Sequence, residues 1–297
     1  MNYQNIFRHL ERLDRSGSAD HLIGEVSLRS PLSSCIYFDN IELPIDFSTI
    51  IDLFECWFSR FYETPKVLIV DKVDGSRLKR VSIKSLRVAL NRDPNLQKNI
   101  ESIQIFPRGR NTIDNTWRPS IYCAISMSPN ASAFICVNED LSHIQILEYL
   151  LGVSAKLNCA VSYGFWFPAV FSPLGYYWGV SVDPVCRSNG NWASEKSERI
   201  ANWKYNSRQL SVNNIDNRDV PKINDLTRDV YPITIFNKSY DFKIFGEIFA
   251  HPSSELRPPG MFHYFDDSIV WIICSQELQL AQEFSDRIEA NLSVKRF

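Results

Sequence analysis

The order of the predicted helices and strands constrains the fold most, because several strand-like segments follow one another without a helix between them. Strand candidates lie at Ile100–Phe106, Ser120–Met127 and Ala133–Val137. A strictly alternating strand–helix order is typical of parallel α/β sheets, whereas a run of successive strands is typical of α+β folds. We therefore predict an α+β fold with mixed or antiparallel sheets and packed helices.

Amphipathic helices flank these strands. Apolar residues recur with helical spacing over Phe47–Tyr62, Ser82–Leu90, Ser142–Lys156 and Glu277–Leu292. Pro65 ends the first of these helices, and the Asp93-Pro94 pair ends the second. Each helix carries one apolar face, which predicts that it packs on a sheet.

The chain divides into two halves of similar length. At roughly 150 residues per domain, 297 residues indicate an N-terminal α+β half at 1–157 and a C-terminal α+β half at 158–297. The second half is predicted to open with a hairpin of Ala160–Phe171 and Gly175–Val182, joined by a Pro-Leu-Gly turn. The two halves either share one plan as related units or form a single compact unit.

Composition excludes several classes of protein. The 32 Lys and Arg nearly balance the 34 Asp and Glu, for a formal charge of −2. Nucleic-acid and membrane-surface binders carry a basic excess, so neither partner is expected. Seven cysteines without a CxxC pair predict reduced thiols in a cytoplasmic protein. Composition does not indicate an oligomeric state.

Catalytic and cofactor motifs are missing from the sequence. There is no GxSxG, GxGxxG or Walker A pattern, and the five histidines are scattered. Four cysteines lie in apolar stretches and are predicted to be inert: Cys123, Cys136, Cys159 and Cys274. We expect no catalytic residues, no metal and no cofactor.

A basic segment is the first candidate contact feature. Lys72–Arg110 contains ten basic residues, of which Arg80, Lys84 and Arg87 share the spacing of one helix face. This arrangement predicts a ridge that attracts an acidic partner or a phosphate. The alternative is an ordinary solvated helix face.

An aromatic hairpin is the second candidate contact feature. Seven aromatic residues crowd into Gly164–Gly179, including Trp166 and Tyr177. Neighbouring side chains of a strand point to opposite faces, so either the fold covers both faces or one face presents aromatics to a partner. Trp192 follows at the start of a predicted helix.

One motif favours an enzyme instead. Asp241-Phe242-Lys243 has the Asp-x-Lys form of metal-dependent nucleases, with Asp225 and Asp229 upstream as further carboxylates. Such a triplet is short enough to arise by chance. A metal-dependent nuclease, or another component of bacterial defence, is the alternative hypothesis.

A resemblance enters at the C-terminal quarter of the chain. The segment Arg228-Asp229-Val230-Tyr231-Pro232 is followed by Phe236, Gly246 and Trp271. It resembles a large bacterial family of α+β proteins that occur beside polymorphic and type VI secretion toxins and are regarded as immunity proteins. The residues themselves favour a structural role, with Asp229 accepting a backbone N–H bond and Tyr231 burying its ring.

The resemblance implies a non-enzymatic immunity protein whose partner is a cognate toxin. The predicted partner-binding residues are Arg80, Lys84, Arg87, Trp166, Tyr177 and Trp192. Their replacement by alanine is expected to weaken partner binding without unfolding the protein.

Overall fold

The computed structural model describes ten strands and four α-helices. The described residues are 32–42, 47–65, 67–107, 121–127, 131–137, 139–168, 229–238, 258–265 and 267–287, together with Ile6, Arg8, Leu10, Glu11, Leu13 and Asn202. The strands are β1 (Leu32–Ile41), β2 (Val67–Lys72), β3 (Arg77–Val81), β4 (Ile100–Phe106), β5 (Ile121–Ser126), β6 (Ser132–Val137), β7 (Cys159–Pro168), β8 (Ile233–Asn237), β9 (Met261–Tyr264) and β10 (Ser268–Ile272). The helices are α1 (Phe47–Arg60), α2 (Ile83–Arg92), α3 (His143–Leu157) and α4 (Leu278–Arg287), with short 3-10 helices at Pro94–Asn99 and Ser275–Glu277.

The ten described strands form one sheet in the order β3-β2-β4-β5-β6-β1-β7-β8-β10-β9. All nine neighbouring pairs among them are antiparallel. The predicted α+β class is therefore confirmed. The sheet crosses the predicted division at 157/158, since β1 pairs with β7 over most of its length; the division into two related halves stays a prediction.

Both faces of the central strands are buried. On β1, Ile36 and Phe38 belong to the hydrophobic core that also contains α1 and α3. Between them, Tyr37 points to the opposite face, where its ring stacks on Tyr163 of β7 at 5.7 Å and meets Phe134 of β6 at 6.5 Å. Strands buried on both faces are apolar at consecutive positions rather than at alternating ones.

Helices α1 and α3 lie side by side against one face of the sheet. The ring of Trp57 in α1 meets the ring of Tyr149 in α3 edge-on, with centroids 4.3 Å apart. Helix α3 begins with a capping box, in which the Ser142 side chain accepts the Gln145 N–H and the Gln145 side chain accepts the Ser142 N–H. The helix approaches β7 closely at Gly164, where an added Cβ would lie 2.4 Å from Cγ2 of Ile146.

The predicted elements agree with the structure to within a few residues wherever the structure describes them. Between β2 and β3 the chain turns at Asp74-Gly75, where Gly75 has a positive φ and the Ser76 N–H donates to the Asp74 carboxylate. The hairpin strand Gly175–Val182 lies outside the described residues. Among the helices that the structure describes, none combines the length and apolar character needed to cross a membrane.

Candidate partner-binding surface

Four of the six predicted contact residues lie in elements that the structure describes. Arg80 lies in β3, Lys84 and Arg87 lie in α2, Trp166 lies in β7, and Tyr177 and Trp192 lie outside the described residues. Two of the six, Lys84 and Arg87, occur together on α2.

Trp166 belongs to the core. Its side chain is 0% exposed, its indole N–H donates to the Leu141 carbonyl at 3.1 Å, and the His143 ring meets it edge-on at 4.6 Å. A side chain without exposed surface offers no contact area to a partner. The prediction that Trp166 binds a partner is corrected here, and the alternative of a strand covered on both faces applies to β7.

Arg80 does not share a helix face with Lys84 and Arg87. Helix α2 begins at Ile83, because the Ser82 side chain caps it by accepting the Ser85 N–H at 3.0 Å. Arg80 thus belongs to the preceding strand β3, and its side chain lies outside the described part. The predicted ridge of three residues at helical spacing is wrong at its first member.

Arg87 lies on α2 but points to α1. Its guanidinium donates to the carboxylates of Asp52 and Glu55, the second at 2.6 Å. Partial burial lowers the pKa of Arg87, but the hydrogen bonds and charges of the two carboxylates outweigh it and raise the pKa above its ordinary value. Arg87 therefore links two helices, and its charge is already neutralised within the fold.

The outer face of α2 carries the available cations. Lys84 and Arg92 are exposed, and within the part of the chain that the structure describes neither has an ion-pair partner. Val88 lies between them in sequence and is 41% exposed. Residues at i, i+4 and i+8 lie along one side of a helix, so these three form a continuous stripe, which we call the α2 stripe.

The α2 stripe points directly away from the core. Leu86 and Leu90, the buried residues of the helix, lie on the opposite side when each residue advances by 100°. At a rise of 1.5 Å per residue the stripe is about 12 Å long. The stripe has a cation, an apolar residue and a second cation in that order. Leu86 and Leu90 hold the helix against the core on its other side.

A shallow groove of about 640 Å³ runs beside the α2 stripe. It is lined by Lys84, Ser85, Val88, Ala89, Arg92, Asp93 and Leu96. The Asp93 carboxylate accepts the Asn95 N–H at 2.9 Å and caps the 3-10 helix that follows. The groove thus combines two cations with apolar side chains, and its single carboxylate already has a hydrogen-bond partner.

Sequence reasoning missed Val88 and Arg92. The predicted helix ended at Leu90, two residues short of its observed end at Arg92. The signal was present, because the Asp93-Pro94 stop leaves Arg92 inside the helix, at the helical spacing that connects it to Lys84 through Val88. Extending the helix to its stop signal would have identified the stripe.

Burial disfavours the thiolate form of two cysteines that the sequence predicts to be inert. Burial raises the pKa of the Cys123 thiol well above its ordinary value. For Cys159, burial outweighs the hydrogen bond with Ser154 and raises the pKa to about 12. A thiolate is the reactive form of cysteine, so these raised pKa values favour the inert role that the sequence predicts for Cys123 and Cys159.

The residues proposed for a nuclease site are only partly described. Asp229 accepts the Val230 N–H at 2.9 Å, and the Tyr231 ring is buried, which confirms the predicted structural roles of both residues. Asp225 and Asp241 lie outside the described residues. Within the described ranges, no three His, Cys, Asp or Glu side chains are grouped closely enough to hold a metal ion.

Comparison with solved structures shows a distant structural likeness. The chain is similar to a solved Pseudomonas aeruginosa T6SS protein at 10% sequence identity and a TM-score of 0.41, over 96% of this chain and 82% of that protein. A likeness at this level carries no information on activity. No protein-family model and no curated protein matches the chain.

Proposed function

We propose that this protein is a non-enzymatic immunity protein, which binds a cognate bacterial toxin of the polymorphic or type VI class and neutralises it in the cytoplasm. The α2 stripe is the contact surface. The observation that carries the proposal is the pair of exposed cations, Lys84 and Arg92, which flank exposed Val88 on a helix anchored to the core.

The stripe combines one exposed apolar side chain with two flanking cations. Interfaces gain affinity from apolar side chains that become fully desolvated, whereas charges at the rim mainly set orientation and association rate. Val88 supplies the apolar centre, and Lys84 and Arg92 supply the rim. Because the helix is already ordered, little conformational entropy is lost when a partner binds.

The C-terminal segment supports the proposal in another way. Asp229 and Tyr231, which belong to the segment that resembles immunity-type proteins, serve the fold through a backbone hydrogen bond and a buried ring. Shared structural residues of this kind leave the contact surface free to differ between proteins that bind different toxins. The proposal therefore places recognition on the α2 stripe and away from this segment.

Affinity capture from the native cells tests the proposal. The tagged full-length protein is used beside K84E and R92E variants, with K156E as a matched control because Lys156 is an exposed lysine of α3. We expect one partner, identified by mass spectrometry, that the wild type and K156E retain and that K84E and R92E lose.

The captured partner is then expressed alone and together with this protein. Growth arrest by the partner alone, with rescue by the wild type and K156E, supports the immunity function. A harmless partner, or growth arrest that this protein does not relieve, overturns it. Rescue by K84E and R92E at wild-type levels would remove the α2 stripe as the contact surface.

A further inference from the structure

We propose that the α2 stripe recognises an acidic amphipathic helix of its partner, in which two carboxylates flank an apolar side chain at positions i, i+4 and i+8. This inference rests on the proposed function and adds the chemistry of the partner to it. It follows from three properties of the stripe: its charge, its length and its helical backbone.

Charge comes first. Lys84 and Arg92 are exposed cations, whereas Arg87 on the neighbouring side of the helix is neutralised by Asp52 and Glu55. The stripe therefore presents two positive charges, while the Asp93 carboxylate at its Arg92 end accepts the Asn95 N–H. Opposite charges across an interface favour correct encounters and disfavour wrong partners, so the complementary surface carries two acidic side chains.

Length sets the spacing of those acidic side chains. The two cations are eight residues apart, which is about 12 Å along the helix axis. On a partner helix lying along the stripe, the same distance separates residues i and i+8, and residue i+4 lies opposite Val88. An apolar residue at i+4 would cover Val88 and extend into the groove beside Ala89 and Leu96.

The backbone of α2 favours a helical partner over an extended one. In a strand, residues i, i+2 and i+4 would span a similar distance, but a strand carries unpaired backbone N–H and C=O groups. It gains affinity mainly by pairing them with a sheet edge. Helix α2 uses its own backbone groups internally, so it offers a strand no such partner, whereas a helix arrives with its backbone already satisfied.

A nucleic acid is the other polyanion that two cations could contact. Double-stranded DNA binding typically uses several phosphate contacts in a strongly basic domain. Here the formal charge is −2, and exposed Val88 separates the two cations. These features favour a carboxylate-bearing protein helix.

A titration of the full-length, nitrogen-15-labelled protein with designed peptides tests the inference. The first peptide is an Ala-rich helix of about 20 residues with Glu, Leu and Glu at i, i+4 and i+8. A second peptide has Lys in place of each Glu, a third has the i, i+2, i+4 spacing in a β-branched sequence, and a DNA duplex is the fourth probe. Amide chemical shifts report binding even when it is weak.

We expect the Glu-Leu-Glu helix to shift the amides of residues 84–93, with an affinity about tenfold lower for K84E or R92E and unchanged for K156E. We also expect the Lys-Leu-Lys helix to bind the K84E/R92E double variant and not the wild type. Equal binding of both helices to the wild type, shifts confined to other residues, or no shift at all would overturn the inference. So would stronger binding of the extended peptide or of DNA at the same residues.

Failure of this inference differs from failure of the proposed function. If the peptides do not bind but the captured partner is a toxin that this protein neutralises through α2, the chemistry of the partner is wrong and the function stands. If the helix binds but the captured partner is harmless, the chemistry stands and the immunity function is wrong.

Discussion

Trp166 in β7 and Arg92 in the α2 stripe are both of residue types that are enriched at protein interfaces, yet only Arg92 reaches the surface. Trp166 is closed between the Leu141 carbonyl and the His143 ring, whereas Lys84, Val88 and Arg92 face away from the buried side of their helix. Residue type alone therefore does not identify a contact surface. The element that covers each side chain decides between a core role and a contact role.

The first and largest effect is expected from Trp166→Ala. Removal of a large, fully buried aromatic side chain costs about 3–5 kcal/mol, because both apolar contacts and filled volume are lost. Chemical denaturation, followed by far-UV circular dichroism so that the signal does not depend on tryptophan, measures this loss. Trp166→Phe is the milder comparison, since it retains a ring and loses the N–H bond to Leu141. An unchanged free energy of unfolding together with lost partner binding would show that Trp166 contacts the partner.

Gly164→Ala is expected to have the next largest effect. The added Cβ would lie 2.4 Å from Ile146 Cγ2 and 3.0 Å from Leu150 Cδ1, so α3 must shift away from β7. Overpacking of this kind costs about 1–3 kcal/mol. Gly152→Ala on α3 is the matched control, because nothing lies within 4 Å of its added Cβ; it should leave stability unchanged or raise it. Equal melting temperatures for the two variants would contradict the close approach.

Ser142→Ala tests the start of α3. It removes the side chain that accepts the Gln145 N–H, and loss of such a cap costs about 1 kcal/mol. Thermal unfolding is the measurement. Ser142→Asp keeps an acceptor at the same position and should remain close to the wild type; equal destabilisation by both substitutions would argue against the cap.

Arg87→Ala tests whether this cation is structural. Because the Arg87 side chain is 28% exposed and its two partners are more exposed still, the ion pairs are screened by water and their loss should cost no more than about 1 kcal/mol. A double-mutant cycle with Asp52→Ala separates the energy of the Arg87–Asp52 ion pair from that of the other contacts of Arg87. Repeating the cycle at high salt measures how far this energy is screened. A coupling that salt does not weaken would place the pair in a less solvated site than the structure shows.

The smallest effect on stability is expected from K84E and R92E. Exposed side chains without ion-pair partners change the free energy of unfolding by less than about 0.5 kcal/mol. Both variants should therefore unfold like the wild type while losing the partner. A large loss of stability would show that these cations serve the fold, as Arg87 does, and would remove the contrast between the two sides of α2.

Local sequence patterns predict most of the described helices and strands, whereas β3 and β9 are not among the predicted elements. The apolar spacing of Phe47–Tyr62 and the stop at Asp93-Pro94 each act within a few residues of chain, so these elements and the α+β class could be predicted. For the aromatic hairpin the sequence left two alternatives open, a strand covered on both faces or a face that presents aromatics to a partner. Of the candidate surface, Lys84 was predicted correctly as an exposed cation of α2.

The surroundings of individual side chains required the tertiary structure. Arg87 has the sequence spacing of a ridge residue, but Asp52 and Glu55, 35 and 32 positions earlier in the chain, neutralise it. Trp166 is of a residue type that is common at interfaces, but Leu141 and His143 enclose it. Helical and strand periods depend on neighbours along the chain, whereas burial and ion pairing depend on which distant segments the fold brings together.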